Sequence, residues 1–285
     1  MINTKQENLN TWSSDKALKS PFKFFLLGLQ DLRKSRELTV TLFVRDLKAQ
    51  YRQSILGYLW IIIPPSFTTL TFYFLSEMEV LNIGQTSLPY PLFAFIGTML
   101  WQLFSETMLS PINSLSSNTG ILIQVNLPKD AIILAGLGSV FFNFIVRLIL
   151  ISPILIMWDI PFLQGIPFIV LGVISLMTLG LAVGIILCPI GLLFKDIQKI
   201  MNLVMGFAML VTPVVYPINP DNPISVKAYQ YNPVAPLISF SRDSFTSIPT
   251  DAIPVTLITS ISLVILCVGW LLLRVSYSHV ISRIS

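Results

Sequence analysis

Arg45, Lys48 and Arg52 stand three and four residues apart, a spacing that projects all three from one side of a helix. Two guanidinium groups and an ammonium on one face are chemistry for phosphate. Arg grips it bidentately, Lys acts as a point charge, and both gain where water is partly excluded. The chain turns apolar within a few residues of Arg52, which sets this face at the depth of lipid headgroups. The face therefore suits a phosphate-bearing ligand at the mouth of a membrane pathway. The alternative is a topological anchor that holds anionic lipid, at about 1 kcal/mol per basic residue.

Two further charges, Glu106 and Arg147, fall inside apolar runs. Intramembrane charges are functional candidates by default. If the run holding Glu106 ends near Pro111, the two lie at different depths, and a direct pair is not expected; each then lines the bundle interior or reaches an interface. Other chemistry is missing. There is no Gly-Lys dipeptide, hence no phosphate-binding P-loop, no Gly-x-Ser-x-Gly elbow and no His-Glu-x-x-His. His279 is the one histidine, and Cys188 and Cys267 both lie in apolar runs, so neither a metal site nor a disulfide framework is expected. No catalytic residue is assigned, and an enzyme on this chain would have to work with intramembrane carboxylates.

The elements that position these residues are membrane helices. Of 285 residues 54% are hydrophobic and 11% charged, against roughly 25% charged in soluble domains, and the mean hydropathy is +0.76. A surface so poor in charge faces lipid. Apolar stretches predict spans near Leu56–Ser76, Tyr90–Pro111, Ala131–Trp158, Ile166–Leu193, Met201–Tyr216 and Pro254–Val275, each near the roughly 20 residues a crossing needs. The fifth is the shortest. Lipid cannot satisfy backbone polar groups, so the spans must be helices. The fold expected is an all-α membrane protein. Residues 1–55 form a cytoplasmic and interfacial region, 56–275 a six-span domain, and 276–285 a cytoplasmic tail.

Lys and Arg set the orientation. With the N-terminus inside, the inner side receives the ten basic residues before Ser54 and also Lys129, Lys195, Lys199, Arg274 and Arg283. The outer side receives Lys227 and Arg242. Both termini are then cytoplasmic, in a multi-pass protein of the cell's inner membrane. The net charge of +4 reflects this juxtamembrane clustering and does not imply nucleic acid. The polar first twenty residues contain no apolar core of a signal peptide.

Three segments outside the spans carry patterns. Phe22, Phe25, Leu26, Leu29 and Leu32 recur at helical spacing, and so do Val40, Phe43, Val44, Leu47 and Tyr51 opposite Arg45, Lys48 and Arg52. Both read as amphipathic helices in the interface, with ordinary packing on the bundle as the alternative. The inner loop 113–130 is apolar for a cytosolic segment, with Ile121, Leu122, Ile123, Val125 and Leu127; these side chains need a cover. The outer segment 212–254 holds eight of the nineteen prolines and cannot be one helix. Short re-entrant helices at the outer mouth are the expectation.

The stretch Arg45-Asp46-Leu47-Lys48-Ala49-Gln50-Tyr51-Arg52-Gln53-Ser54, followed by Leu56-Gly57-Tyr58-Leu59-Trp60 and Pro64-Pro65, resembles the amino-terminal motif of ABC exporter permeases for bacterial cell-surface polysaccharides. This is the O-antigen and teichoic-acid export family (Wzm-like). Four more stretches match in order: Pro89 to Phe93 with Gly97 and Trp101; Leu127-Pro128-Lys129; Phe194-Lys195-Asp196; and Thr212 to Pro217, followed by Tyr231-Asn232-Pro233 and Phe240 to Arg242. The match spans about Leu42 to Arg242. It departs at Lys195, where the family has Arg, and at Gln124 and Asn126, where it has a Lys.

The resemblance implies a permease subunit that works as a homodimer with two copies of a separate ABC ATPase. ATP and magnesium bind that partner, and no cofactor binds this chain. The cargo implied is a glycan on an undecaprenyl-diphosphate anchor, or a teichoic acid. Arg45, Lys48 and Arg52 would meet the diphosphate. Tyr58, Trp60, Phe67, Phe72, Tyr73, Phe207 and Tyr216 would line a channel for sugar rings, with packing as the alternative for each. Asn118, Ile121, Leu122 and Lys129 would dock the ATPase. A permease for a small amphiphile or drug on the same scaffold is the competing reading, since fold does not fix substrate.

Overall fold

A computed structural model describes residues 30–52, 54–78, 86–124, 128–218, 221–246 and 251–284. Among these there is no strand. Ten helices are labelled in chain order: α1 Arg36–Tyr51, α2 Ile63–Glu77, α3 Tyr90–Ser117, α4 Thr119–Gln124, α5 Lys129–Met157, α6 Phe162–Leu193, α7 Lys195–Val211, α8 Pro223–Tyr231, α9 Val234–Asp243 and α10 Ile253–Ile284. A 3-10 turn at Gly57–Ile61 precedes α2, and another at Ser244–Thr246 follows α9.

Proline marks the helix starts. Pro89, Pro128, Pro161 and Pro233 each occupy the N-cap of the helix that follows, where a missing N–H costs nothing. Pro111, Pro153, Pro167 and Pro189 instead sit inside α3, α5 and α6. An interior proline costs about 3 kcal/mol in a soluble helix, but neighbouring helices re-satisfy the freed carbonyls in packed membrane helices.

Among the described residues four helices are long and apolar enough to cross a membrane: Tyr90–Ser117, Lys129–Met157, Phe162–Leu193 and Ile253–Ser276. The first and fifth expected spans are shorter. α2 has 15 residues because Gly57, at φ +51°, turns the chain and a 3-10 turn precedes Pro64. α7 has 17 residues and stops at Thr212, ahead of Pro213.

The scaffold is built on α6, which packs along α3 on one side and α10 on the other; α5 lies on α3, α2 on α3, and α9 on α6. One apolar cluster fills the end that holds α9, with Phe93, Ile96, Leu100, Phe144, Val214, Leu237 and Phe245. A second fills the opposite, basic end and joins Leu42, Ile112, Leu115, Leu122, Ala131, Ile132, Cys188 and Leu273. Helix α1 belongs to this second cluster.

That placement alters the reading of the amino-terminal region. The face of α1 turned to the bundle carries Ser35, Leu38, Leu42 and Phe43, and Val40 and Val44 are exposed. Phe43 lies against Gly138 of α5, where an added Cβ would sit 3.1 Å from its ring. So α1 packs as a strut along α5, and of the expected stripe Phe43 turns inward while Val40 and Val44 do not. The stripe Phe22, Phe25, Leu26 and Leu29 lies outside the described residues.

Candidate functional site

Charged and polar side chains gather in three places: the basic end, mid-bundle, and the corner beneath α8 and α9. At the basic end Arg45, Lys48 and Arg52 are all exposed. Arg45 is already engaged. Its Nε donates to Asp46 Oδ1 at 2.8 Å, and its Nη2 donates to Asn118 Oδ1 at 2.7 Å, which ties α1 to the elbow between α3 and α5. Among the described residues Lys48 and Arg52 form no ion pair, and both are exposed at the same helix end. Beside them a cavity of about 690 Å³ is lined by Asp46, Asn113, Ser114, Ser116, Ser117, Gly136, Ser139, Gln198 and Lys199. Gln198 Nε2 donates to Asn113 Oδ1 at 2.6 Å, so α3 and α7 are tied together across it.

The elbow residues do not form one outward-facing surface. Leu122, 9% exposed, is buried with Leu42, Ile112 and Ala131, so it cannot reach a docked subunit while that cluster holds. Asn118 is buried and accepts from Arg45. Lys129 Nζ donates to the Arg274 carbonyl at 3.3 Å. The side chain of Ile121 lies outside the described residues. The apolar character of the elbow therefore reflects, at Leu122, a buried core.

Mid-bundle, Arg147 and Glu106 form an ion pair at 2.6 Å, which corrects the expectation that they lie too far apart. Arg147 is 4% exposed and Glu106 33%, and Arg147 Nε also donates to the Ile61 carbonyl at 3.0 Å, just ahead of α2. The expectation truncated α3 at Pro111, whereas the helix runs to Ser117. Contact between Gly136 and both Ser110 and Ser114 sets Arg147 level with about Trp101. That leaves roughly 7.5 Å of helix axis to Glu106 at 1.5 Å per residue. Side chains lean toward the N-terminus of their own helix. In antiparallel α3 and α5 the two lean toward each other and close the gap.

The aromatic candidates divide. Tyr58, Trp60, Phe67 and Phe207 are exposed. Phe72 and Tyr216 pack on the first apolar cluster, and the Tyr216 hydroxyl donates to the Leu210 carbonyl at 2.8 Å. Tyr73 stacks edge-on with Phe74. Tyr58 rests against Phe142, which also meets Phe43. Leu203, Leu210 and Phe74 are exposed as well, so the open faces of α2 and α7 mix aromatic and aliphatic groups.

At the α9 corner, residues from distant motifs meet. Asn232 Nδ2 donates to Thr212 Oγ1 at 2.7 Å. Buried Arg242 donates from Nη1 to the Val214 carbonyl at 2.9 Å, and its guanidinium carbon lies 3.6 Å over the Phe93 ring. Gly97 makes this possible: a Cβ there would fall 2.1 Å from the Val214 oxygen. Burial pushes the adjacent Asp243 carboxyl upward, while Arg242 and a hydrogen bond from Ser87 oppose the shift. Sequence reading had placed Arg242 among loop charges, although the apolar run Val234–Phe240 before it signalled burial. Asp31, Asp130, Trp270 and Arg274, which cluster at the basic end, were also missed as a group. They are far apart in the chain, and no local spacing marks them.

The chain is similar over most of its length to known proteins. Over 84% of its length the chain is 27% identical to the O-antigen export system permease protein RfbA of Myxococcus xanthus, covering 92% of that protein. The resemblance holds. RfbA of Klebsiella pneumoniae is 26% identical over 73% of the chain and 80% of its own length. The polysialic acid transport protein KpsM of Escherichia coli is 22% identical over 82% of the chain and 91% of its own length. No protein-family model matches the chain.

Proposed function

We infer that this chain is the membrane-spanning subunit of an ATP-driven exporter that carries a lipid-linked cell-surface polysaccharide of the O-antigen type across the inner membrane. The carrying observation is the similarity to polysaccharide-export permeases along most of both chains. The contact between motif residues Thr212 and Asn232, and between Val214 and Arg242, is consistent with it. In this reading α2, with the 3-10 turn before it, and α7 complete a six-span bundle. α8 and α9 form re-entrant segments at the outer mouth. The termini are cytoplasmic by the excess of Lys and Arg at the basic end.

The chain works as a homodimer joined to two ATPase subunits, which bind ATP and magnesium. The elbow around α4 is where each ATPase docks. The exposed aromatics Tyr58, Trp60, Phe67 and Phe207 face a translocation path, and Lys48 and Arg52 meet the diphosphate of the carrier. The test is reconstitution of the chain with its ATPase in vesicles loaded with a polyprenyl-diphosphate-linked glycan. ATP-dependent appearance of glycan on the far side is the expected result. Transport of a small amphiphile with no movement of glycan would favour the drug-exporter reading.

A further inference from the structure

The elbow between α3 and α5 is gripped at both ends by one amino-terminal helical segment. At its start Arg45 donates to Asn118. At its far end Arg274 of α10 bridges two carboxylates. Its Nη2 lies 2.8 Å from Asp31 Oδ2, ahead of α1, and 3.4 Å from Asp130 Oδ2, in the first turn of α5. The joint is reinforced from both sides. Trp270 Nε1 donates to Asp130 Oδ1 at 3.0 Å, the Arg274 guanidinium carbon lies 5.0 Å over the Trp270 ring, and Lys129 Nζ donates to the Arg274 carbonyl. Beneath it Leu273 is buried with Leu42, Leu122 and Ile132.

Arg274 is 7% exposed and Asp130 5%. A buried ion pair is a poor source of net stability, because desolvation offsets the attraction, and well-packed apolar residues often do as well. Its best-attested use is to fix one arrangement of elements over others. Here the elements fixed are the amino-terminal segment, the start of α5 and the end of α10, and α10 packs along α6, the centre of the bundle. Coupling between distant sites travels through rigid elements and packed networks of this kind.

We propose that Arg274, with Asp31 and Asp130, is a positioning clamp that makes the elbow, the amino-terminal segment and the basic end of α10 one rigid unit, so that force applied to the elbow by the ATPase partner is delivered to the last helix. This rests on the reading that an ATPase docks at the elbow. The clamp separates two quantities that a purely structural ion pair would change together: assembly of the complex, and glycan exported per ATP hydrolysed.

The decisive variant is Asp31→Asn, Asp130→Asn, Arg274→Met, which removes all three charges, keeps their approximate shapes and leaves neither Arg274 nor its two carboxylates facing a missing counter-charge. It should assemble with the ATPase at the level of the unaltered chain and hydrolyse ATP, but export at least tenfold less glycan per ATP. Unchanged export per ATP would overturn the clamp. A second measurement needs no altered clamp. Spin labels at Gly120, where an added side chain meets nothing within 4 Å, and at exposed Leu272 should hold one mutual distance in the ATP-bound and nucleotide-free complex. The labelled chain is diluted with unlabelled chain to remove distances between copies. A distance that changes between the two states overturns the proposal. Failure of the exporter reading itself would show instead in the unaltered complex, as absence of glycan export.

Discussion

Arg147 of α5 and Glu106 of α3 meet at 2.6 Å in the middle of the bundle, and Arg147 also holds the carbonyl of Ile61. The pair thus fixes three elements at once: two long helices and the turn that leads into α2. Its two members are not equivalent, since Arg147 is buried and Glu106 retains a third of its accessibility. Glu106→Gln leaves a buried cation without its counter-charge, at a cost on the order of 3 kcal/mol. Glu106→Gln with Arg147→Met should recover most of that loss. Thermal unfolding in detergent, followed by size-exclusion fluorescence, checks the order: the single variant least stable, the double variant near the unaltered chain.

Gly97→Ala should disturb the corner under α9. The new methyl would fall 2.1 Å from the Val214 carbonyl oxygen, and that oxygen also accepts from Arg242. Overpacking of this kind costs about 1–3 kcal/mol, so the segment must shift. Cysteines placed at Asp221 and Asp251 should react faster with a membrane-impermeant maleimide in the Gly97→Ala background. Equal labelling rates would mean that the corner absorbs the methyl without moving.

Arg45, Lys48 and Arg52 should separate under substitution. Arg45→Gln loses bonds to Asp46 and Asn118 and should lower both membrane level and export. Lys48→Gln with Arg52→Gln should leave membrane level near normal and cut export several-fold, as expected for exposed cations that meet phosphate. If export follows membrane level in both variants, the basic face is an anchor.

Leu122→Asp and Ile121→Asp both probe the elbow. Leu122 is buried among Leu42, Ile112 and Ala131, and a carboxylate there has no partner, so folded yield should fall sharply. Ile121→Asp should weaken co-purification of the folded chain with the ATPase. Retention of the ATPase by the Ile121 variant at full strength would move the docking surface away from α4.

The apolar runs were legible because bilayer thickness constrains them directly. The starts of α3 and α5 were read closely, at Tyr90 and Ala131, but that of α6 was read late, at Ile166 against Phe162, because Pro161, Pro128 and Pro89 were not used as markers of helix starts. Pro111 misled because a helix packed on neighbours tolerates a proline that would end it in water. That error hid the partner of Arg147, because depth was counted from a false end. The stripe on α1 held at Phe43 but not at Val40 and Val44, because these are as apolar as Leu42 and only the position of α5 decides which side is covered. The Asp31, Asp130 and Arg274 cluster was illegible because it joins the beginning, middle and end of the chain. The aromatic candidates gave mixed results: hydrophobicity identified Phe67 and Phe72 alike, and packing exposes the first while partly burying the second.

Polysaccharide export by this chain is best measured by co-reconstituting it with its ATPase in sealed vesicles that hold a polyprenyl-diphosphate-linked glycan, and following lectin accessibility of the glycan on each side. The expected result is one-directional, ATP-dependent transfer of the glycan, abolished when the ATPase is inactivated, and no hydrolysis by this chain alone, which has no phosphate-binding loop. Unchanged glycan sidedness while the assembled complex hydrolyses ATP, or robust hydrolysis by this chain without a partner, would contradict it.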